Sequence, residues 1–377
     1  MKTALKVFFC SAMAVMVLSC EKTIEFKSAY IQPKIVVNSV LRAGTDRIIV
    51  SVEKSRSVLD DKPFFEALPD ARVILFEDGT LITELGYASV IDTFTQYLNY
   101  GVVNKYPYEH GIYIDSFITI KPGSTYRLEV LKEGFEPVVC ETTVPYPVPV
   151  TEGEYLIEKI PQQYGPTKYK VKLNLHIDDP QNEDNYYRIQ AYKMRGVEKA
   201  FLKNRYHYGG GYGYYNPNDD PEGIVATDTI IQSMEYPNQI FSMDPVLTAN
   251  TNADILGTES DVTEFFTDEL MNGSYKLSYW MNTHRDIYTQ FHEYLELNTI
   301  ISSISRELYL YSRSRIQQSM TKGNPFAEPV PVYTNVMGGL GIFGSEAASR
   351  FRTIIGEYPV EGKTYIDEYD YRREAVP

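Results

Sequence analysis

Histidines and acids are the first residues to examine for chemistry in this chain, which has only five histidines. His284 and His292 lie close to Asp286 and Glu296, and a helix over this stretch would put His292 and Glu296 on one face. Imidazole and carboxylate groups spaced in this way can hold zinc, although charged residues four apart are equally typical of a solvated surface. We predict no metal site here.

Catalytic motifs are missing from the sequence, which has no HExxH, GxSxG, Walker or CxxC pattern. The glycine-rich run at residues 338–344 lacks the strand–GxGxxG–helix setting of a dinucleotide site. Glycines without that setting favour a bent strand to which another backbone comes close. We therefore predict no catalytic residue and no cofactor.

Tyrosine is unusually frequent, with 32 residues against a single tryptophan. Five tyrosines lie in one Gly-rich stretch with no packing period, and aromatic side chains on such a loop offer adaptable contact area for a ligand or partner. The alternative is a solvent-facing loop without a binding role. The predicted contact residues are Tyr206, Tyr208, Tyr212, Tyr214 and Tyr215.

Cys20 is the residue whose surroundings specify a reaction. It follows a short basic start with Lys2 and Lys6, an apolar run too short for a permanent membrane helix, and then Val17-Leu18-Ser19. This arrangement resembles a lipobox, in which the cysteine thiol receives a diacylglycerol before cleavage in front of the cysteine. We predict a signal peptide over residues 1–19, lipidation of Cys20, and a polar tether over residues 20–32.

Charge and cysteine content argue against two further kinds of function, nucleic-acid binding and thiol chemistry at Cys140. The net charge of −14 argues against nucleic-acid binding, which needs a basic surface. Cys140 lies in an alternating segment with Val138 and Thr142 on the same strand face, which predicts a buried and inert thiol.

The elements that would position these residues are mostly strands. From Lys34 onward, short segments such as KIVVNSVL and TYRLEVL alternate apolar and polar residues and are separated by turns rich in glycine and proline. About seven strands in this stretch predict an immunoglobulin- or fibronectin-like β-sandwich over residues 33–146. Proline at every second position in VPYPVPV then predicts an extended domain junction.

A larger β-rich domain is predicted over residues 147–377. KYKVKLNLHI and GSYKLSYWMNT alternate clearly, and the second places Tyr275, Leu277 and Tyr279 on one face. SSISRELYLYSRSRIQQSM has near-helical apolar spacing, which predicts one long helix near residues 302–320.

The order of several motifs resembles that of a known family. The lipobox and CEKTIEF are followed by PKIVVNSVL, IKPGSTYRLEVLKEGF, DDPQNEDNYYRI and NPFAEPVPVYTNVMGGLGIFG. In this order they resemble the Bacteroidota lipoproteins catalogued as domain of unknown function 4249. The resemblance implies a cell-envelope lipoprotein, often encoded beside a TonB-dependent outer-membrane receptor, and it supplies no catalytic residues.

These observations together predict a non-enzymatic outer-membrane lipoprotein that is held in the bilayer by its acyl anchor and faces the cell exterior. Its expected role is to capture ligand for, or otherwise assist, a TonB-dependent receptor in nutrient uptake. Display on the periplasmic side of the membrane is the alternative location. A cryptic hydrolase of glycan or peptide and an envelope structural or assembly factor are the alternative functions.

Overall fold

The chain folds into strands over most of the part that the structure describes. The structure is a computed structural model that describes residues 32–56, 66–97, 103–160, 168–202, 224–234, 240–249, 260–261, 264–271, 273–283, 293–321, 328 and 330–356. These residues form nineteen strands and two helices, so the predicted mainly β fold is confirmed. Within these ranges, neither helix is both long and apolar enough to cross a membrane.

The strands come in two sequence groups separated by the proline-rich junction. The first group is β1 (Ile35–Arg42), β2 (Ile48–Lys54), β3 (Glu66–Ala67), β4 (Arg72–Glu77), β5 (Thr80–Glu84), β6 (Gly86–Tyr97), β7 (Val103–Asp115), β8 (Thr125–Leu131) and β9 (Val138–Thr143).

The second group contains the longer strands and both helices. It comprises β10 (Val150–Ile160), β11 (Lys168–Asp178), β12 (Tyr186–Leu202), β13 (Ile224–Met234), β14 (Phe241–Ser242), α1 (Pro245–Thr248), β15 (Ser260–Asp261), β16 (Phe265–Thr267), β17 (Ser274–Thr283), β18 (Glu293–Ile304), α2 (Arg306–Thr321) and β19 (Leu340–Gly356).

Hydrogen bonds join these strands into three sheets. The largest has ten strands in the order β13–β12–β18–β19–β1–β2–β7–β6, with β16 beside β12 and β3 beside β2. A five-stranded sheet has the order β10–β11–β17–β14–β15, and a four-stranded sheet has the order β5–β4–β8–β9. The ten-stranded sheet therefore contains strands from both sequence groups.

A first apolar core forms between the four-stranded sheet and one half of the ten-stranded sheet. Every second residue of β1 and of β8 is buried in it, as the alternation predicts. Val336 and Phe343, which lie almost 200 residues after the rest of this core, are also part of it. The C-terminal part of the described chain thus returns to complete the N-terminal unit.

A second apolar core lies between the five-stranded sheet and the other half of the ten-stranded sheet. Leu277 and Tyr279 of β17 are fully buried in it, and Tyr275 packs against it, as predicted. Residues of β12 and β18 close the core from the opposite side.

Strand β19 belongs to both units. Its first part, Leu340 to Glu346, pairs in parallel with β1, whereas the part from Glu346 to Gly356 pairs antiparallel with β18. The change of partner takes place at Glu346, whose carboxylate is almost fully buried between two arginines. The distances are 2.8 Å from Arg42 Nε to Glu346 Oε1 and 2.8 Å from an Arg188 guanidinium nitrogen to Glu346 Oε2.

The proline-rich junction is also attached to β19. The hydroxyl of Ser345 donates to the carbonyl oxygen of Thr143 at 2.8 Å, and the hydroxyl of Ser349 donates to the carbonyl oxygen of Val148. The division of the chain between Tyr146 and Pro147 stays a prediction. The two units on either side of it share a strand and a sheet.

Helix α2 covers the outer face of the ten-stranded sheet where the two units meet. Leu308 and Tyr309 of the helix pack with Ile304 and Ile342 in a third, small apolar cluster. The helix begins at Arg306, because Ser305 Oγ accepts the N–H of Leu308 as an N-cap serine does. Residues 302–304, which fall in the predicted helical range, form the end of β18.

Candidate functional site

The binding residues predicted from the sequence lie outside the described residues. This applies to Cys20 and to all five tyrosines, Tyr206, Tyr208, Tyr212, Tyr214 and Tyr215. His284 and His292 are also outside, and Glu296 lies in strand β18 rather than on a helix. Within the described residues, no group of three His, Cys, Asp or Glu side chains has the geometry to hold a metal ion.

Cys140 is an unreactive thiol. Only 1% of the residue is exposed, and burial raises the pKa of its thiol to about 12. Because the thiolate is the nucleophilic form, a thiol with such a pKa stays protonated at neutral pH. The structure therefore bears out the sequence interpretation that this residue is part of the core.

The most distinctive surface among the described residues is the outer face of the five-stranded sheet. Alternate residues of β11 point into the second core, so the others face outward, and these are Lys170, Lys172, Asn174 and His176. On the neighbouring strand β17, Lys276, Ser278 and Trp280 occupy the same face. We call these seven outward residues the Trp280 face.

Trp280 is the only tryptophan in the chain, and it belongs to none of the three apolar clusters. It nevertheless has only 6% of its surface exposed. Lys172 lies directly opposite it on β11, and Phe241 lies opposite it on β14. The ammonium nitrogen of Lys170 lies 4.0 Å from the centroid of the indole ring, at cation–π distance.

The indole N–H of Trp280 is the unusual feature of this face. The Nε1 atom is buried and has no hydrogen-bond partner within the described part of the chain. Buried N–H groups in folded proteins are nearly always paired with protein, water or ligand, because an unpaired one loses its hydration without compensation. An unpaired indole N–H therefore marks a position where an acceptor is missing.

Polar contacts on the same face hold the neighbouring groups in place. The hydroxyl of Ser278 donates to Asn174 Oδ1 at 2.7 Å, and Lys276 Nζ lies 3.1 Å from Glu154 Oε2 on the edge strand β10. Further along β10, Leu156 lies opposite Lys172, and Glu158 lies opposite Lys170. Leu156 is 54% exposed, so this side of the face is open to solvent.

A buried carboxylate fixes the strands beneath the Trp280 face. Asp244 Oδ2 accepts the backbone N–H of Ser278 at 2.9 Å, and its Oδ1 accepts the hydroxyl of Tyr275 at 2.7 Å. The same Oδ1 accepts the N–H of Val246 at 3.0 Å and so caps helix α1. These bonds tie the turn between β14 and α1 to strand β17, two residues before Trp280.

The Trp280 face carries a lysine that has no salt-bridge partner within the described residues. The chain carries 50 acidic against 36 basic residues, yet the face presents three lysines, Lys170, Lys172 and Lys276. Within the described residues, no salt bridge involves the ammonium group of Lys172. Because Lys172 has Leu156 and Trp280 as its cross-strand neighbours, its positive charge can attract an anion to this position.

Sequence reasoning overlooked the Trp280 face because it followed only the apolar half of each alternating segment. In GSYKLSYWMNT, the pattern of Tyr275, Leu277 and Tyr279 predicts the core face correctly. The signal for the other face was the single tryptophan at an outward position of the same strand, two residues from Ser278 and four from Lys276. Which lysines stand opposite it depends on the register with β11, which one strand alone does not reveal.

Comparison with known proteins identifies one match. The family model described as Domain of unknown function (DUF4249) matches residues 21–352. This range covers most of the chain and confirms the family resemblance drawn from the ordered motifs. A comparison with curated proteins gives no match.

Proposed function

The chain belongs to the DUF4249 family, and we propose that it is a non-enzymatic outer-membrane lipoprotein that captures a ligand for a TonB-dependent receptor. The capture site is the Trp280 face of the five-stranded sheet. The observation that carries this proposal is the buried and unpaired indole N–H of Trp280 between outward-facing lysines. The tyrosine-rich stretch at residues 206–215 remains a further candidate for contact.

The anchor in this proposal is the acylated Cys20. A single acyl chain holds a protein only weakly to a bilayer, whereas two or more chains give stable attachment. The first described residue, Gln32, comes directly before Pro33 and strand β1, so the tether leads into strand β1 of the N-terminal unit. We propose that the molecule faces the cell exterior.

The N-terminal unit is, in this proposal, an immunoglobulin-like sandwich. Two of its sheets face each other around the first core. The hydroxyl of Tyr126, near the start of β8, accepts the backbone N–H of Lys121 at 3.0 Å and donates to Glu77 Oε1 at 2.8 Å. A tyrosine that bonds back to the chain a few residues upstream resembles the tyrosine corner of immunoglobulin-type domains.

Detergent extraction of outer membranes tests the proposal. A C-terminally tagged full-length protein should bring down a TonB-dependent receptor, and metabolic labelling with a fatty acid should mark the protein. The variant Cys20→Ser should lose both the label and its place in the outer-membrane fraction. Recovery of the wild-type protein without a receptor would contradict the receptor partnership, and an unlabelled protein would contradict the anchor.

A further inference from the structure

Three polar groups near Trp280 on this face are hydrogen-bond donors without a partner within the described residues. Trp280 Nε1 is buried without a partner, and no contact within the described residues involves the ammonium group of Lys172 or the amide nitrogen of Asn174. An indole and an ammonium group can only donate, and the amide nitrogen of asparagine donates as well. Asn174 Oδ1, the nearest acceptor, already receives the hydroxyl of Ser278.

The three residues that carry these donors are neighbours on two paired strands. Lys172 and Trp280 are directly opposed across β11 and β17, which places their Cβ atoms about 5 Å apart. Asn174 follows Lys172 on the same face, about 7 Å further along the strand. One group with several acceptor oxygens can therefore contact all three donors.

The charges around the donors favour an anion. Lys170 lies over the indole ring, and Lys172 stands beside it. On the neighbouring edge strand β10, Glu152 lies opposite His176, Glu154 lies opposite Asn174 and is paired with Lys276 at 3.1 Å, and Glu158 lies opposite Lys170. Lys172 has Leu156 and Trp280 as its cross-strand neighbours and no carboxylate, so an anion beside the indole would meet complementary charge.

The burial of the indole ring argues against a neutral sugar as the ligand. Sugar rings stack on aromatic rings whose face is open, but only 6% of Trp280 is exposed and the Lys170 ammonium group already occupies a position over its ring. The site offers hydrogen-bond donors rather than an open aromatic platform.

We propose that the Trp280 face binds an oxyanion, a carboxylate or a phosphate carried by the captured ligand, through Trp280 Nε1, Lys172 Nζ and Asn174 Nδ2. This inference rests on the proposed capture function and names its ligand class. The oxyanion supplies the missing acceptor for the indole N–H, and its charge is compensated by Lys172. Lys170 adds long-range attraction from its place above the ring.

The single tryptophan makes the inference directly measurable. Excitation at the red edge of indole absorption reports Trp280 alone, since no other tryptophan is present. The full-length protein in detergent is titrated at constant ionic strength with glucuronate, glucose 6-phosphate, inorganic phosphate and glucose. We expect a saturable change in fluorescence with at least one of the three anions and none with glucose. The two charged sugars distinguish a carboxylate from a phosphate ligand.

Lys172→Gln and Lys276→Gln form a matched pair of variants. Each removes one lysine from the same face, but Lys276 is already paired with Glu154 and lies two positions along the face from Trp280. We expect Lys172→Gln to weaken binding about tenfold or more, the effect of one charge-assisted hydrogen bond. Lys276→Gln should change it less than about twofold.

Three results would overturn the oxyanion site: no fluorescence change with any of the three anions in a folded protein, an equal response to glucose, or an equal loss in both variants. The last would indicate general attraction to positive charge. The titration needs no receptor and no membrane. A positive titration with failed co-purification would therefore refute the receptor partnership only, and a negative titration with successful co-purification would refute the oxyanion site only.

Discussion

At the scale of single residues, a buried tyrosine and a buried aspartate in the second unit satisfy each other's polar groups by a hydrogen bond. The hydroxyl of Tyr187 donates to Asp179 Oδ1 at 2.5 Å, and both residues are more than nine-tenths buried. Burial raises the pKa of Asp179, the hydrogen bond from Tyr187 opposes that rise, and the charges of Asp268 and Glu183 add to it.

Removing this hydroxyl tests the pair. In Tyr187→Phe, Asp179 loses its donor while it stays buried, so we expect the free energy of unfolding at neutral pH to fall by about 1–3 kcal/mol. Denaturant unfolding measures the change. Tyr155→Phe, at a tyrosine that is 48% exposed, is the control and should unfold like the wild type.

The pH dependence of this variant has a defined sign. A carboxyl group whose pKa is raised on folding holds its proton more tightly in the folded state, so stability falls as pH rises from the ordinary aspartate pKa of 3.8 through the folded pKa. Loss of the Tyr187 hydrogen bond raises the pKa of Asp179 further, so the pH range over which stability falls extends to higher pH. The stability difference between wild type and Tyr187→Phe should thus be larger at pH 7 than below pH 3.8. A pH-independent difference would contradict this account.

The sequence predicted some residues of the interior well and the candidate site poorly. Cys140 was correctly predicted to be buried, because its neighbours at every second position are apolar or small. Trp280 was not identified, because its significance depends on an unpaired N–H and on lysines from another strand. Hydrogen-bond partners depend on how strands pair in the folded protein, and the sequence of one strand does not reveal that pairing.

At the scale of elements, alternation located strands reliably, but it could not say which strands pair. β1, β8 and β11 follow the predicted apolar–polar pattern residue by residue. The parallel pairing of β1 with β19 joins residues about 300 positions apart, as in Arg42 with Glu346. Nothing in either segment alone reveals this pairing.

The glycine-rich run predicted to be a bent strand explains how that pairing is possible. Gly341 has a φ of +100°, and a Cβ atom placed on it would lie 2.0 Å from the carbonyl oxygen of Val37 on β1. Only a residue without a side chain allows β1 and β19 to approach this closely.

Gly341→Ala should therefore be severely destabilising. Left-handed backbone alone costs an alanine about 1–2 kcal/mol, and the overlap with β1 adds to it, so we expect about 3 kcal/mol or more in total. Gly44→Ala is the matched control, because Gly44 also has a positive φ of +78° but nothing within 4 Å of an added Cβ. Equal losses in the two variants, measured by denaturant unfolding, would show that the approach of β1 is not the constraint.

At the scale of the whole molecule, the two units are joined through a continuous sheet. The carboxylate of Glu346 bridges Arg42 from the first unit and Arg188 from the second, with the side chains of these arginines 35% and 20% exposed. The sequence indicated a junction at residues 144–150 but could not indicate that the chain crosses it again at β19.

We expect the two units to unfold in one cooperative transition. Two probes report them separately: Cys140 in the first core, by its reaction with a thiol reagent, and Trp280 beside the second, by its fluorescence. In the double variant Cys10→Ser/Cys20→Ser, where Cys140 is the only thiol, both probes should give the same midpoint in denaturant. Separate midpoints would contradict coupling through the shared sheet.

Glu346→Gln tests the bridge itself. Loss of the carboxylate removes the counter-charge that two arginines share, so both midpoints should fall together. Because the arginines are partly exposed, we expect the free energy of unfolding to fall by about 2–3 kcal/mol. Glu84→Gln, which breaks the solvent-exposed pair with Arg72, is the control and should leave the midpoints nearly unchanged. A fall in only one midpoint would show that the two ion pairs of Glu346 stabilise a single unit.

The parallel pairing of β1 and β19 also determines how the molecule would respond to a mechanical pull. The chain enters β1 directly from residue 34, and β19 runs on into the second unit. A force that draws residue 32 away from the second unit therefore slides β1 lengthwise along β19. Because sliding loads all seven register pairs at once instead of peeling them apart in turn, this joint resists tension along the strands far better than tension across them.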